Sequence, residues 1–129
     1  MLEFTEKVVG IAGIQITESD IENILVSSLE GGSNYWMGLD NSRLEFKDKP
    51  KGEPLSTWTT KLIIDGKSVY FYDIEDPEEK SLELTLQKLL NGITQNAEER
   101  PNSANKDDWD ACDADCIIQY ALFGELVYG

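Results

Sequence analysis

Histidine is absent from the 129 residues, and basic residues are scarce: 11 lysines and arginines stand against 25 aspartates and glutamates, a formal net charge of -14. Without histidine the chain lacks the commonest general base and the commonest metal ligand. A surface of that sign repels nucleic acid, anionic lipid and acidic substrates, and attracts cations or basic protein surfaces. Cysteine is scarce too. Cys112 and Cys116 are too few for a disulfide framework. Four apart on one helix, they point the same way, which disfavours a bridge, so buried free thiols are expected. No apolar run exceeds four residues, Tyr120 to Phe123 being one, so no segment is long enough to span a bilayer. The N-terminus lacks the charged-then-apolar order of a signal peptide, and a cytosolic protein is the default expectation.

What is present is periodic. Lys7 to Ile16 is rich in β-branched residues, is broken by Gly10 and Gly13, and reads as one or two short strands. A helix follows from the Thr17-Glu-Ser-Asp segment, with Ser19 and Glu22 at capping-box spacing and Ile21, Ile24, Leu25, Ser28 and Leu29 on one face. Gly31-Gly32 stops it, glycine accepting the left-handed conformation of many helix ends. Asn34 to Leu39 reads as a strand and Asp40 to Pro54 as a polar loop. Leu55 to Asp65 carries two signals. Leu55, Trp58 and Leu62 fit a helix, whereas Thr57 to Ile64 is β-rich and Asp65-Gly66 is a hairpin turn. The balance favours a helix, then a strand at Lys67 to Asp73.

An acidic turn around Pro77 leads to a short strand, Leu82 to Leu84. Thr85 caps a helix with Leu86, Leu89, Leu90 and Ile93 on its apolar side. Gly92 inside it costs about 1 kcal/mol against alanine, so this helix is short or tightly packed there. Asn96 to Asp108 reads as a second loop. A last helix runs from Asp110 or Asp113 to Phe123 and ends at Gly124, and Glu125 to Tyr128 reads as a terminal strand. The sum is a single α+β domain over residues 1–129, with three to four helices packed on a mainly antiparallel sheet of four to five short strands.

Five aspartates, Asp107, Asp108, Asp110, Asp113 and Asp115, invite a calcium reading, but Asp113 stands where a calcium loop needs glycine. Asp113 and Asp115 are more simply helix caps. Zinc would need carboxylates to complete the two thiols. A cysteine nucleophile would lack a histidine partner and sit beside carboxylates that raise its pKa. No nucleophile elbow, phosphate loop or dinucleotide fingerprint is present. No enzyme activity, metal or cofactor is therefore expected. The aromatics Tyr35, Trp36, Trp58, Tyr70, Phe71, Tyr72 and Trp109 could stack bases, but the one basic run, Lys47, Lys49 and Lys51, is diluted by acids, so direct nucleic-acid binding is not expected. On a strand, Tyr70 and Tyr72 share one face and Val69 and Phe71 the other.

Leu29-Glu-Gly-Gly-Ser-Asn-Tyr-Trp, Leu82-Glu-Leu-Thr-Leu-Gln-Lys-Leu-Leu-Asn-Gly-Ile and Ala114-Asp-Cys-Ile-Ile-Gln-Tyr-Ala-Leu-Phe-Gly-Glu-Leu-Val-Tyr-Gly resemble a family of small acidic proteins of phages and mobile elements of Firmicutes. The likeness covers about half the chain. It implies context, a mobile-element protein in the cytoplasm of a bacterial host, and carries over neither activity nor site residues.

Charge and context together point to a non-enzymatic acidic binding protein that inhibits a host defence nuclease or another nucleic-acid-handling protein by nucleic-acid mimicry. The partner would be a basic host protein, met through Asp73, Glu75, Asp76, Glu78, Glu79, Asp107, Asp108, Asp110 and Asp113. The blander reading is a charged surface that merely keeps the protein in solution. An alternative is a sponge for a small signalling nucleotide, its pocket built where two of the resembling segments meet, from Glu30, Tyr35, Trp36, Asp115, Gln119 and Tyr120. Those segments carry no basic residue for an anion, which counts against it. A third reading is a homo-oligomeric module pairing through the edge of the aromatic strand.

Overall fold

A computed structural model describes residues 4–40, 49–76 and 81–128. Among these, strands β1 (Val8–Ile11) and β2 (Gln15–Thr17) form an antiparallel hairpin. Gly13, at φ +80°, supplies the left-handed residue of its turn. Helix α1 (Glu18–Ser27) starts directly from β2. Its capping box is Thr17 with Asp20: Asp20 N donates to Thr17 Oγ1 at 3.2 Å and Thr17 N to Asp20 Oδ2 at 2.9 Å. The expected Ser19–Glu22 box is displaced because Thr17 already holds the extended cap geometry. The Ser19 hydroxyl donates instead to the Thr5 carbonyl at 3.3 Å.

After α1 the chain widens into a π-helical turn, Ser28–Gly32. Gly31 and Gly32 are not left-handed, contrary to expectation. Gly32 is needed for approach: a Cβ there would lie 2.2 Å from the Ala111 carbonyl oxygen. Residues 34–36 form a turn rather than the start of a strand, with Trp36 N and Met37 N both donating to Ser33 O at 3.1 and 3.0 Å. Strand β3 (Met37–Leu39) then pairs antiparallel with β4 (Val69–Asp73), which pairs on its other side with β5 (Leu82–Leu84). The five strands thus form two sheets, not one. The aromatic strand β4 lies between β3 and β5 and so is not an edge strand of the described sheet, contrary to the expectation of pairing through its edge. Val69 and Phe71 face the core while Tyr72 faces out, as alternation predicts.

Leu55–Ile64 is helical (α2). Asp65-Gly66 terminates it in a Schellman motif, with Gly66 N bonding Ile63 O at 3.0 Å and Lys67 N bonding Leu62 O at 2.9 Å, and is not a hairpin turn. Helix α3 (Leu86–Glu99), capped by Thr85, outruns its expected end because Asn96 is buried, donating from its amide to Ser103 O at 3.3 Å. Short 3-10 turns, Pro101–Ser103 and Lys106–Asp108, then lead to α4 (Ala111–Phe123), which ends at left-handed Gly124.

One hydrophobic cluster joins the inner faces of α1, α3, α4 and both sheets, with Trp36, Phe71, Ile117 and Ile118 fully buried. Helix α4 is buried from Asp113 through Ala121. A helix enclosed on all sides takes its polar side chains into the interior, and this positions the site described next. Among the described residues, no helix is long and apolar enough to cross a membrane.

Candidate functional site

Asp115 sits one turn into α4, 7% exposed, facing the turn that precedes β3. Four donors converge on its carboxylate. Ser33 Oγ and Trp36 Nε1 reach Oδ1 at 2.7 and 2.8 Å, and Tyr35 Oη and Gln119 Nε2 reach Oδ2 at 2.9 and 3.0 Å. Gln119, one turn further on, is fully buried and continues the network. Its Oε1 accepts from Val127 N and Tyr128 N, both at 2.8 Å, and its Nε2 also donates to Tyr128 O at 3.0 Å. Residues 125–128 therefore form a strap held by a side-chain amide instead of the expected strand, which would have needed a neighbouring backbone. Tyr128 stacks on Trp36 with ring centroids 5.1 Å apart, and its hydroxyl donates to Asp73 at the end of β4.

Two of the resembling segments thus meet in space, as the ligand-pocket reading required. They meet as a closed hydrogen-bond network. Asp115 is its hub and not a helix cap, a correction to the sequence reading. Glu30 and Tyr120 are not among the residues bonded to this hub. Glu30 is exposed, accepts from Ser56 Oγ at 3.3 Å, and borders a separate apolar cleft of about 320 Å3 beside β3 and α2. Tyr120 is buried on α4, its phenol pushed up in pKa by burial and by the Glu99 charge. Ser33 and Tyr128 were missed by sequence reasoning. The polar pair Asp115 and Gln119, four apart and so on one face of the helix, was the signal that could have led to them.

The network sets a pH response. Burial and the Asp115 hydrogen bond push the Tyr35 phenol up to about 12, and the Asp73 hydrogen bond followed by burial pushes Tyr128 up to about 12. Below pH 10 both phenols are protonated in the folded and unfolded chains. Above about 10 the unfolded chain ionises first, so the stability these phenols contribute is lost as pH rises towards 12. Tyrosinate absorbance will therefore show a late phase near pH 12, and Tyr128→Phe will remove one phenol from it. A titration with no late phase would contradict both carboxylate bonds.

Of the nine acidic residues expected to meet a partner, seven are among the described residues, and two of these are internal. Asp73 is 6% exposed and accepts from the Tyr128 hydroxyl and from Glu75 N. Asp113 is 8% exposed, completes the Asp110 capping box and pairs with Arg100 Nη1 at 3.1 Å. Burial raises the Asp113 pKa, but hydrogen bonds from Asp110 and Arg100 outweigh it and hold the group below the usual carboxylate value. Neither can reach a partner, because the side chains are already engaged within the fold. Glu75 and Asp76 are exposed on the turn after β4, and Asp107, Asp108 and Asp110 are exposed on the approach to α4. Glu78, Glu79 and Lys47 lie outside the described residues.

Cys116 is buried, its thiol pushed up to about 11 by that burial, whereas Cys112 is exposed on the first turn of α4, so only one of the two thiols is enclosed as expected. Among the described residues, no group of three or more cysteine, aspartate or glutamate side chains is arranged to hold a metal ion. No family model, no curated protein and no solved structure matches the chain.

Proposed function

We propose that this is a non-enzymatic acidic binding protein of a phage or mobile element. It would inhibit a host nuclease or other nucleic-acid-handling protein by covering its basic surface. The observation that supports this is the distribution of ion pairs. Arg100 is engaged by Asp113, Lys106 by Asp20, Lys61 by Glu53 and Lys88 by Glu83. Among the described residues, the exposed Glu75, Asp76, Asp107 and Asp108 have no such cation. Cations engaged by other carboxylates do not screen these, so their field extends into solvent and steers a basic partner. The nucleotide-sponge alternative loses support, because four of its six pocket residues, Tyr35, Trp36, Asp115 and Gln119, are bonded together around Asp115, Glu30 and Tyr120 lie apart from them, and none of the six supplies a cation.

A tagged pull-down from host lysate, eluted with rising salt, tests the reading. A basic, nucleic-acid-handling protein will elute as salt rises, and nucleic acid will compete it off. The double reversal Glu75→Lys with Asp76→Lys will lower its capture at least tenfold, as loss of paired interfacial charges does. Capture insensitive to both salt and charge reversal would sink the proposal.

A further inference from the structure

We infer that the cleft between α1 and the approach to α4 receives an arginine side chain of the partner; this rests on the acidic-binding reading above and gives it an anchor. The cleft encloses about 350 Å3 and is lined by Asp20 and Asn23 of α1 and by Lys106, Asp107, Trp109 and Asp110, among others. That is the scale of a side-chain or small-ligand pocket. Lys106 does not make it an anion site. Its ammonium lies 2.7 Å from Asp20 Oδ2 and 3.1 Å from the Gln15 carbonyl, a fixed and internally neutral pair. Asp107 and Asp110 then leave the lining net negative, and only Asp110 is engaged as a helix cap, accepting from Asp113 N at 2.9 Å.

The aromatic wall is a separate observation. Trp36 and Trp58 are buried, whereas Trp109 is half-buried and borders the cleft. Its indole N–H is already given to the Ser103 carbonyl at 2.8 Å, so it offers a ligand π-surface and not a donor. Carboxylates beside an indole suit a planar, weakly hydrated cation that can stack and donate at once, which is guanidinium more than ammonium. An anion would be repelled, and an apolar group would leave the carboxylates facing it. Arginine seated in a pocket is also a recurrent anchor of protein interfaces.

Titration with Nα-acetyl-arginine amide and its neutral citrulline counterpart, at low salt and followed by tryptophan emission in a Trp58→Phe background and by calorimetry, tests the assignment. The arginine compound will give a saturable change and the citrulline compound none. Asp107→Lys will weaken binding at least tenfold, whereas Glu125→Lys, past the far end of α4 and outside the cleft, will change it less than twofold. No saturable response, equal responses to the two compounds, or equal weakening by the two reversals overturns the assignment. In the pull-down, Asp107→Lys will lower capture. Unchanged capture, with the reversal at Glu75 and Asp76 still effective, overturns the cleft as anchor and leaves the acidic-surface reading standing. Saturable arginine binding with no basic protein captured overturns the acidic-surface reading and assigns the cleft to a free guanidino compound.

Discussion

Asp115→Ala will destabilise the protein by roughly 3–5 kcal/mol, from about 1–3 kcal/mol per buried donor left without an acceptor. The four donors differ. Tyr35 is half exposed and its hydroxyl can turn to water. Ser33 and Trp36 are fully buried, and among the described residues nothing else bonds their Oγ–H and Nε1–H. Gln119 loses one of its two acceptors and keeps the other, Tyr128 O. Asp115→Asn will fall between the wild type and alanine, because its amide offers one acceptor oxygen where the carboxylate offers two. Urea unfolding will read both as lower midpoints at unchanged slope. A ligand-binding Asp115 in an open pocket would behave in the opposite way, since removing an unpaired buried carboxylate stabilises. A midpoint unmoved or raised by alanine would therefore return the pocket reading.

Gly92→Ala pits local preference against packing. In the interior of α3, alanine gains about 1 kcal/mol over glycine. At this position a Cβ would stand 2.6 Å from the Ile117 carbonyl oxygen and 2.9 Å from Ala121 N, both backbone atoms of α4. Backbone cannot yield as the tip of a side chain can, so α3 and α4 must separate, and those two helices make the most extensive contact in the fold. Overpacking of this kind costs about 1–3 kcal/mol or more. Rigid backbone on both contacts puts the cost at the upper end of that range, about 3 kcal/mol, so the expected net result is a loss of roughly 2 kcal/mol, with a lowered melting temperature. Stabilisation by alanine would mean that the helices do not approach so closely. Gly92→Ser should fare no better, its Cβ meeting the same atoms.

The elements legible in the sequence are those whose signal is local. The leucines of α3, the Thr85 cap, the alternation in β4 and the stop at Gly124 were all read correctly, since each is set by residues within a turn or two. The misreadings share a cause. Glu125 to Tyr128 has a strand's composition, but its N–H groups are taken by Gln119, and no local pattern announces a side chain acting as a neighbouring strand. Asp115 has the composition of a helix cap, and only its contact with Ser33, Tyr35 and Trp36, about eighty residues away, makes it a hub. The acidic surface shows the same limit. Charge counts raised Asp73 and Asp113 alongside Asp107 and Asp108, and the sequence held nothing to separate the internal from the exposed.

Gln119 has no unused valence. Its oxygen takes two N–H groups and its nitrogen gives two hydrogen bonds, the full capacity of a primary amide. Glutamate would set a second carboxylate against Asp115, lysine would abandon the strap's N–H groups, and an aliphatic residue would abandon both. Residues 115 and 119 and the strap are in this sense a single hereditary character, and drift at one has no neutral path that leaves the others untouched. Lineages carrying this fold should therefore keep the aspartate, the glutamine and the terminal tyrosine together or lose them together, whatever happens to the acidic exterior.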